Sequence, residues 1–322
     1  MKYALQPMKI RSLIGICAAV GWVPFQALAG SASWDFTVDP TDPTQVPHPI
    51  ILLGSTVAGG ASGGGEWINW DYGSDGTTIG FLSISGPSPG TWSKIIFPDI
   101  DNGVTIAAFT FECMLRVGNG TASPADGFSI SYARANDPTF TKDANGNYQA
   151  GGWSGTANEP GSVGGSMAGL AEEGTITGLS IGFDAWNSNS ELWPLDLNAG
   201  LFDVVGLSVR VDNKIVAQVS LPTLNGACED NTSLQTGPQG TSSPDDWTVL
   251  CWQPFKIQLT EDKHLSVWWK GRAVVDNLAV DFNPSPGRLV FGGRTGDAYQ
   301  NTHVDDIVLT TIPADKPLIT TA

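Results

Sequence analysis

Short runs in which apolar and polar residues alternate recur through most of the chain. Residues 109–117, Phe-Thr-Phe-Glu-Cys-Met-Leu-Arg-Val, follow period two, as do 128–132 and 179–183. Residues 207–211 and 215–219 are two such runs joined at Asp212-Asn213, a pair suited to a tight hairpin turn. Phe255, Ile257 and Leu259 alternate before the polar turn Glu261-Asp262-Lys263, and Leu265, Val267 and Trp269 alternate after it. Residues 288–291 and 306–309 close the series. Successive side chains of a strand point to opposite faces. Each run therefore predicts a strand with one buried and one wetted face, the pattern of antiparallel sheets. The one helix-like stretch, 167–173, is flanked by Gly and short. Long loops rich in Gly, Ser, Asn and Pro fall at 56–65, 143–166 and 226–246. No Pro-rich linker and no internal repeat divides the chain. The expectation is a single all-β domain over 30–322, an antiparallel two-sheet β-sandwich, with a loose tail from about residue 313.

The first 29 residues break the pattern. Lys2, Lys9 and Arg11 precede an apolar run from Leu13 to Val23, and Ala27-Leu28-Ala29 is a small-x-small cleavage site. This reads as a secretory signal peptide, with an apolar run too short to span a membrane. No later segment is long and apolar enough to span one either. The expected location is the periplasm, the cell surface or the medium. Cysteine use agrees. Cys17 leaves with the signal, and Cys228 and Cys251 bracket a polar loop that a disulfide would close. Cys113 is then left over in an apolar run, as a small buried hydrophobe. No C-x-x-C spacing points to a metal.

Composition narrows the function. The 322 residues hold 32 Asp+Glu against 16 Lys+Arg, a formal net charge of −16. Signal removal takes three basic residues and no acidic one. Such a surface repels phosphate backbones, which excludes a nucleic-acid partner. Eleven of the twelve Trp lie beyond residue 29. Most are expected in the core, with a minority exposed for recognition. Trp268 and Trp269 are adjacent, so one should face in and the other out. Trp67 and Trp70 are candidates for the rim of a groove.

Five ordered motifs resemble one family. Ala125-Asp126-Gly127-Phe128 looks like the A-D-G-x-x-F strand of legume-type (L-type) lectins. Residues 163–170 resemble their glycine-rich second loop, and 179–187, Leu-Ser-Ile-Gly-Phe-Asp-Ala-Trp-Asn, their V-x-V-E-F-D-T-aromatic segment. The 255–269 hairpin and Gly292-Gly293-Arg294-Thr295-Gly296 with His303-Val304-Asp305 are similar to the last motifs. The likeness covers roughly residues 104–311, and exported bacterial relatives of the superfamily share it. It implies a concanavalin A-like jelly roll with loops gathered over a concave sheet, and a glycan or polysaccharide as partner. Asp126 then matches the aspartate that accepts hydrogen bonds from sugar hydroxyls, a task for an ionised carboxylate. The Ala125–Asp126 bond falls where the family has a cis peptide. Gly165 matches a glycine whose N–H approaches the sugar. Trp186 matches an aromatic wall, and Asn187 or Asn189 an amide ligand.

The resemblance weakens at the metal. The family pattern has Glu two residues before the aspartate, where this chain has Gly182. Asp184 remains as a calcium candidate with Asn187 or Asn189, and Glu191 and Asp196 are nearby, but calcium takes six to eight oxygens. Asp184 equally reads as a loop cap. Asp71-x-Gly73-x-Asp75-Gly76 and Asp143-x-Asn145-Gly146-Asn147 resemble fragments of calcium loops without the closing Glu, and read as turns. Catalysis is not assigned to any residue: the chain lacks an E-x-D-x-x-E or E-x-D-x-x-x-E triplet. Glu172 and Glu173 are adjacent and point to opposite sides, and His303 reads as structural. The leading expectation is a non-catalytic lectin-like protein. A structural or adhesive surface protein that self-associates, and a divergent glycoside hydrolase or lyase, stay open beside it.

Overall fold

The computed structural model describes residues 30–55, 63–148, 170–186, 204–223, 228–243 and 245–314. Residues 1–29, read above as a signal peptide, lie outside them. The described strands, in chain order, are β1 Ser31–Trp34, β2 Ile51–Gly54, β3 Glu66–Tyr72, β4 Ile79–Ser85 and β5 Trp92–Ile96. Next come β6 Ile106–Gly118, β7 Gly127–Arg134, β8 Leu179–Asp184, β9 Gly206–Val211 and β10 Lys214–Ser220. The last five are β11 Gln253–Leu259, β12 His264–Trp269, β13 Arg272–Ala279, β14 Gly287–Arg294 and β15 Asn301–Pro313. They form two antiparallel sheets. The eight-stranded sheet runs β13-β12-β11-β6-β15-β4-β3, with β1 also on β15, and the seven-stranded sheet runs β10-β9-β8-β7-β14-β5-β2. This is the expected sandwich.

The inward positions of the alternating runs make the core. Phe111, Phe255 and Trp269 of the eight-stranded sheet meet Phe128, Phe183 and Phe291 of the other. Phe183 stacks on Phe128 at 4.3 Å between centroids and reaches Phe255 at 5.0 Å and Trp269 at 6.1 Å. Asp212 and Asn213 turn the β9–β10 hairpin with φ of 47° and 62°, the positive pair that matches the twist of the flanking strands. Arg134 grips the Asp212 carboxylate through Nε and Nη2, both at 2.9 Å.

Every predicted strand is present, and most are longer than their alternating runs. Two things differ. Strand β13 escaped prediction because it is an edge strand and only Val275 is buried along it. The helix-like stretch gives a turn at its described end, residues 171–173. The outward polar positions also differ from a wetted face: Ser129, Ser131 and Ser180 of the seven-stranded sheet are buried. Cys228 and Cys251 form the expected disulfide, with Cα atoms 5.6 Å apart, and Cys113 is free and buried. Strand β15 reaches Pro313, and the Ala314 N–H still donates to Thr105 O, so order extends to the point where the tail was expected to begin. Among the described residues no helix is long and apolar enough to cross a membrane.

Candidate binding site

Strand β7 lies between β8 and β14, and its first residue, Gly127, is in register with Asp184 and Arg294. Asp126 is therefore held where three strands end together. Its backbone is pinned from both neighbours: its N–H donates to Arg294 O at 3.2 Å, and its carbonyl accepts from Ala185 N at 2.8 Å. The Ala125–Asp126 peptide bond is cis, as the motif implied. The carboxylate lies 3.3 Å from Arg294 Nε and is largely enclosed, the residue being 9% exposed. Gly296 closes one side. A Cβ there would stand 3.3 Å from Asp126 Oδ1, so a larger residue would crowd the carboxylate.

Arg294 is shared. Its Nε lies 2.7 Å from both Glu172 carboxylate oxygens, and its Nη2 lies 2.5 Å from Oε1. Glu173, the next residue, pairs instead with buried Arg210 of β9. The two glutamates do diverge, each to its own arginine. Together they clasp residues 170–175 onto the outer face of the seven-stranded sheet. Ser129 Oγ donates to Ala171 O, and the Thr175 N–H donates to Ser180 Oγ at 3.1 Å. This explains why the outward positions beneath it, Ser129, Ser131, Ser180, Gly182 and Gly292, are small: another stretch of backbone lies on them. Glu172, Arg210 and Arg294 were not selected from sequence. The one signal available was a pair of acids in a Gly-flanked segment of a chain with few arginines.

The same packing explains why position 182 is Gly. A Cβ at Gly182 would stand 2.3 Å from Glu172 O and 2.8 Å from Ser208 Oγ, so no side chain fits. Asp184, two residues on, is half-buried and accepts from Trp186 N–H through Oδ1 at 2.9 Å, a local loop bond. Trp186 is 41% exposed at this end. The structure thus brings Asp126, Asp184 and Trp186 to one end of the seven-stranded sheet. Gly165, Asn187, Asn189, Glu191 and Asp196 lie outside the described residues. Among the described residues no three His, Cys, Asp or Glu gather as metal ligands. Taken alone, they do not fit calcium: they offer the Asp184 carboxylate where six to eight oxygens are needed. The two calcium-loop fragments are turns, as expected. Asp75 Oδ1 accepts from the N–H groups of Thr77 and Thr78, and Asp143 Oδ1 from those of Asn145 and Asn147.

A second polar cluster sits on the outer face of the eight-stranded sheet. The Arg116 guanidinium lies 4.5 Å from the Phe81 and Trp252 ring centroids, and its Nε donates to His303 Nδ1 at 2.8 Å. Burial and Arg116 hold His303 well below its usual range, so the ring is neutral. With Nδ1 accepting, its proton belongs on Nε2. Burial pulls Arg116 down to about 10, against the pull of Asp71 and Asp305. Burial likewise pushes Asp305 up to about 6, although the Ser74 and Asp306 N–H groups donate to it. His303 is structural here, as the sequence implied. Trp70 is 64% exposed and tilts against Trp247 at 5.3 Å. It stands on β3 of this sheet, away from the groove it was expected to rim; Trp67 of the same strand donates from Nε1 to Phe36 O.

Comparison with known proteins adds the fold family. No protein-family model matches the chain, and no curated protein does. Among solved structures, lectin II from Ulex europaeus is similar at 15% identity and a TM-score of 0.52, over 88% of this chain and 99% of that one. Lectin UEA-II complexed with galactose is similar over the same shares at 15% identity and a TM-score of 0.50. The Ca2+-bound exoplasmic/lumenal domain of VIP36 is 13% identical over 90% of this chain and 93% of that one, with a TM-score of 0.46. The chain has the concanavalin A-like fold of legume-type lectins.

Proposed function

We propose that this chain is an exported, non-catalytic carbohydrate-binding protein, lectin-like, that holds sugar at the strand ends around Asp126. The observation that carries the reading is Asp126 itself. It is locked by backbone bonds from two neighbouring strands, with Trp186 at the same end, in a fold whose solved examples include a galactose-bound lectin. A carboxylate held this way accepts hydroxyl hydrogen bonds without reorganising, which is what weak sugar binding requires. Gly165, Asn187 and Asn189 would complete the site from the two loops. A disulfide and an acidic surface fit an extracellular or lumenal setting, and the expected signal peptide fits export.

The test is a glycan array with purified protein, read with calcium and with chelator. The account predicts selective neutral-glycan binding. No binding on the array in either condition would contradict it. Calcium enters only through Asp184 and the loop that follows. If chelator and Asp184→Asn both abolish binding, calcium belongs to the site; binding unchanged by chelator removes it from the account. The adhesive reading keeps one specific support, the exposed Trp70, Tyr72 and Ile79 on edge strand β3 and its partner β4, where Tyr72 and Ile79 are in register. Concentration-dependent assembly in light scattering, without glycan binding, would favour it.

A further inference from the structure

We propose that the outer face of the eight-stranded sheet carries a second saccharide site, for a neutral sugar, with Trp268 as its stacking surface. The ligand class rests on the carbohydrate reading above, while the geometry does not depend on Asp126. Two halves of that face differ. Over one, Trp247, Leu250 and Trp252, flanking or next to the disulfide, cover Phe81 and Ile68. Among the described residues nothing covers the other half, which forms an open trough of about 580 Å3 across β6, β11 and β12. That volume is within the range of small-ligand sites, roughly 300–1,000 Å3.

The trough follows from strand parity. Cys113, Phe255 and Trp269 face the core, so Met114, Pro254 and Trp268 face outward and make its apolar floor. Its rim is polar. Lys256 pairs with Glu112 at 2.9 Å, and both side chains are partly exposed, at 37% and 49%. Lys256 Nζ stands 5.6 Å from the Trp268 ring centroid, loosely over it. Asp306 joins the rim through a bulge. Residues 305 and 308 pair with 114 and 112, so Asp306 and Ile307 together oppose Cys113. Ile307 takes the core, and Asp306, at φ 49°, is turned to the outer face.

An aromatic floor ringed by two carboxylates and an ammonium suits one chemistry well. A sugar ring lays its C–H face on the indole while its hydroxyls donate to Glu112 and Asp306 and accept from Lys256. The rim carries two negative charges against one positive, on a protein of net charge −16, so acidic sugars are disfavoured. With Asp126 on the other sheet, one chain would join two glycans and gain avidity without oligomerising.

The test uses the intact protein labelled with 15N-tryptophan, with the Trp268 indole signal identified by its loss in Trp268→Phe. The probes are neutral hexasaccharides of galactose, mannose and glucose units, and hexagalacturonate. The expected result is that a neutral hexasaccharide shifts the Trp268 signal equally in the native protein and in Asp126→Asn. Trp268→Ala and Lys256→Ala should each weaken that binding by about tenfold. Lys256→Ala removes only a surface side chain, so it tests the site even if Trp268→Ala folds poorly. A Trp268 signal unmoved by every neutral probe overturns the second site and leaves the Asp126 reading standing. A response to hexagalacturonate alone overturns the neutral assignment. A signal that moves with protein concentration and not with sugar makes the trough a self-contact and overturns the proposal.

Discussion

At the scale of single residues, two positions test the packing and the electrostatics. Gly182→Ala would drive a methyl into Glu172 O and Ser208 Oγ. It should cost about 1–3 kcal/mol in denaturant unfolding, because the obstruction is backbone. Asp305 gives a pH signature. Its carboxyl is raised to about 6 in the fold from an ordinary 3.8, so protonation favours the native state. That contribution is complete below about pH 4 and is lost as pH rises through 6. The stability of the native protein minus that of Asp305→Asn should therefore fall between pH 4 and 7, by on the order of 3 kcal/mol. Melting both proteins across that range checks the sign; a difference that rises with pH refutes the environment assigned to Asp305. Residue identity was legible from sequence where a motif marked it: Asp126 and its cis bond are where the lectin pattern put them. Arg294 and Glu172 were not, because 122 residues separate the partners and nothing local links them.

At the scale of elements, period-two alternation located β6 to β12, β14 and β15 but misread one face of some of them. Ser129, Ser131 and Ser180 look like solvent positions and are covered by residues 170–175. Alternation reports that two faces differ, and a face buried under polar backbone needs small polar side chains too. The early strands β1 to β5 carry none of the alternating runs read from the sequence, since Gly and Trp interrupt their pattern. The disulfide was legible because an exported chain with two cysteines around a polar loop has few other uses for them. It closes a separation of 23 residues, for which loop-closure entropy gives about 3 kcal/mol. Replacing Cys228 and Cys251 by Ser should cost about that much. The Trp247 indole donates to Asp71 from the covering loop, so Trp247 fluorescence should report the same loosening.

At the scale of the molecule, the fold leaves different surfaces on its two sheets. The outer face of the seven-stranded sheet is partly sealed by the Glu172–Arg294 and Glu173–Arg210 clasps, which leaves its strand ends for binding. The outer face of the eight-stranded sheet bears both the exposed Trp70 and the Trp268 trough. The surplus of Trp divides accordingly. Trp269 is buried and donates to Ser233 O, while Trp268 faces out, the split that adjacent strand positions require. The acid excess comprises carboxylates used singly in turns, as at Asp75 and Asp143, and a few gathered around arginines. Carbohydrate binding at Asp126 is the central claim. Calorimetric titration of the strongest array glycan into the native protein and Asp126→Asn tests it most directly. Loss of a charged hydrogen-bond acceptor should weaken binding by about 10- to 100-fold, with both proteins folded by circular dichroism. Equal affinity in the two folded proteins would contradict it.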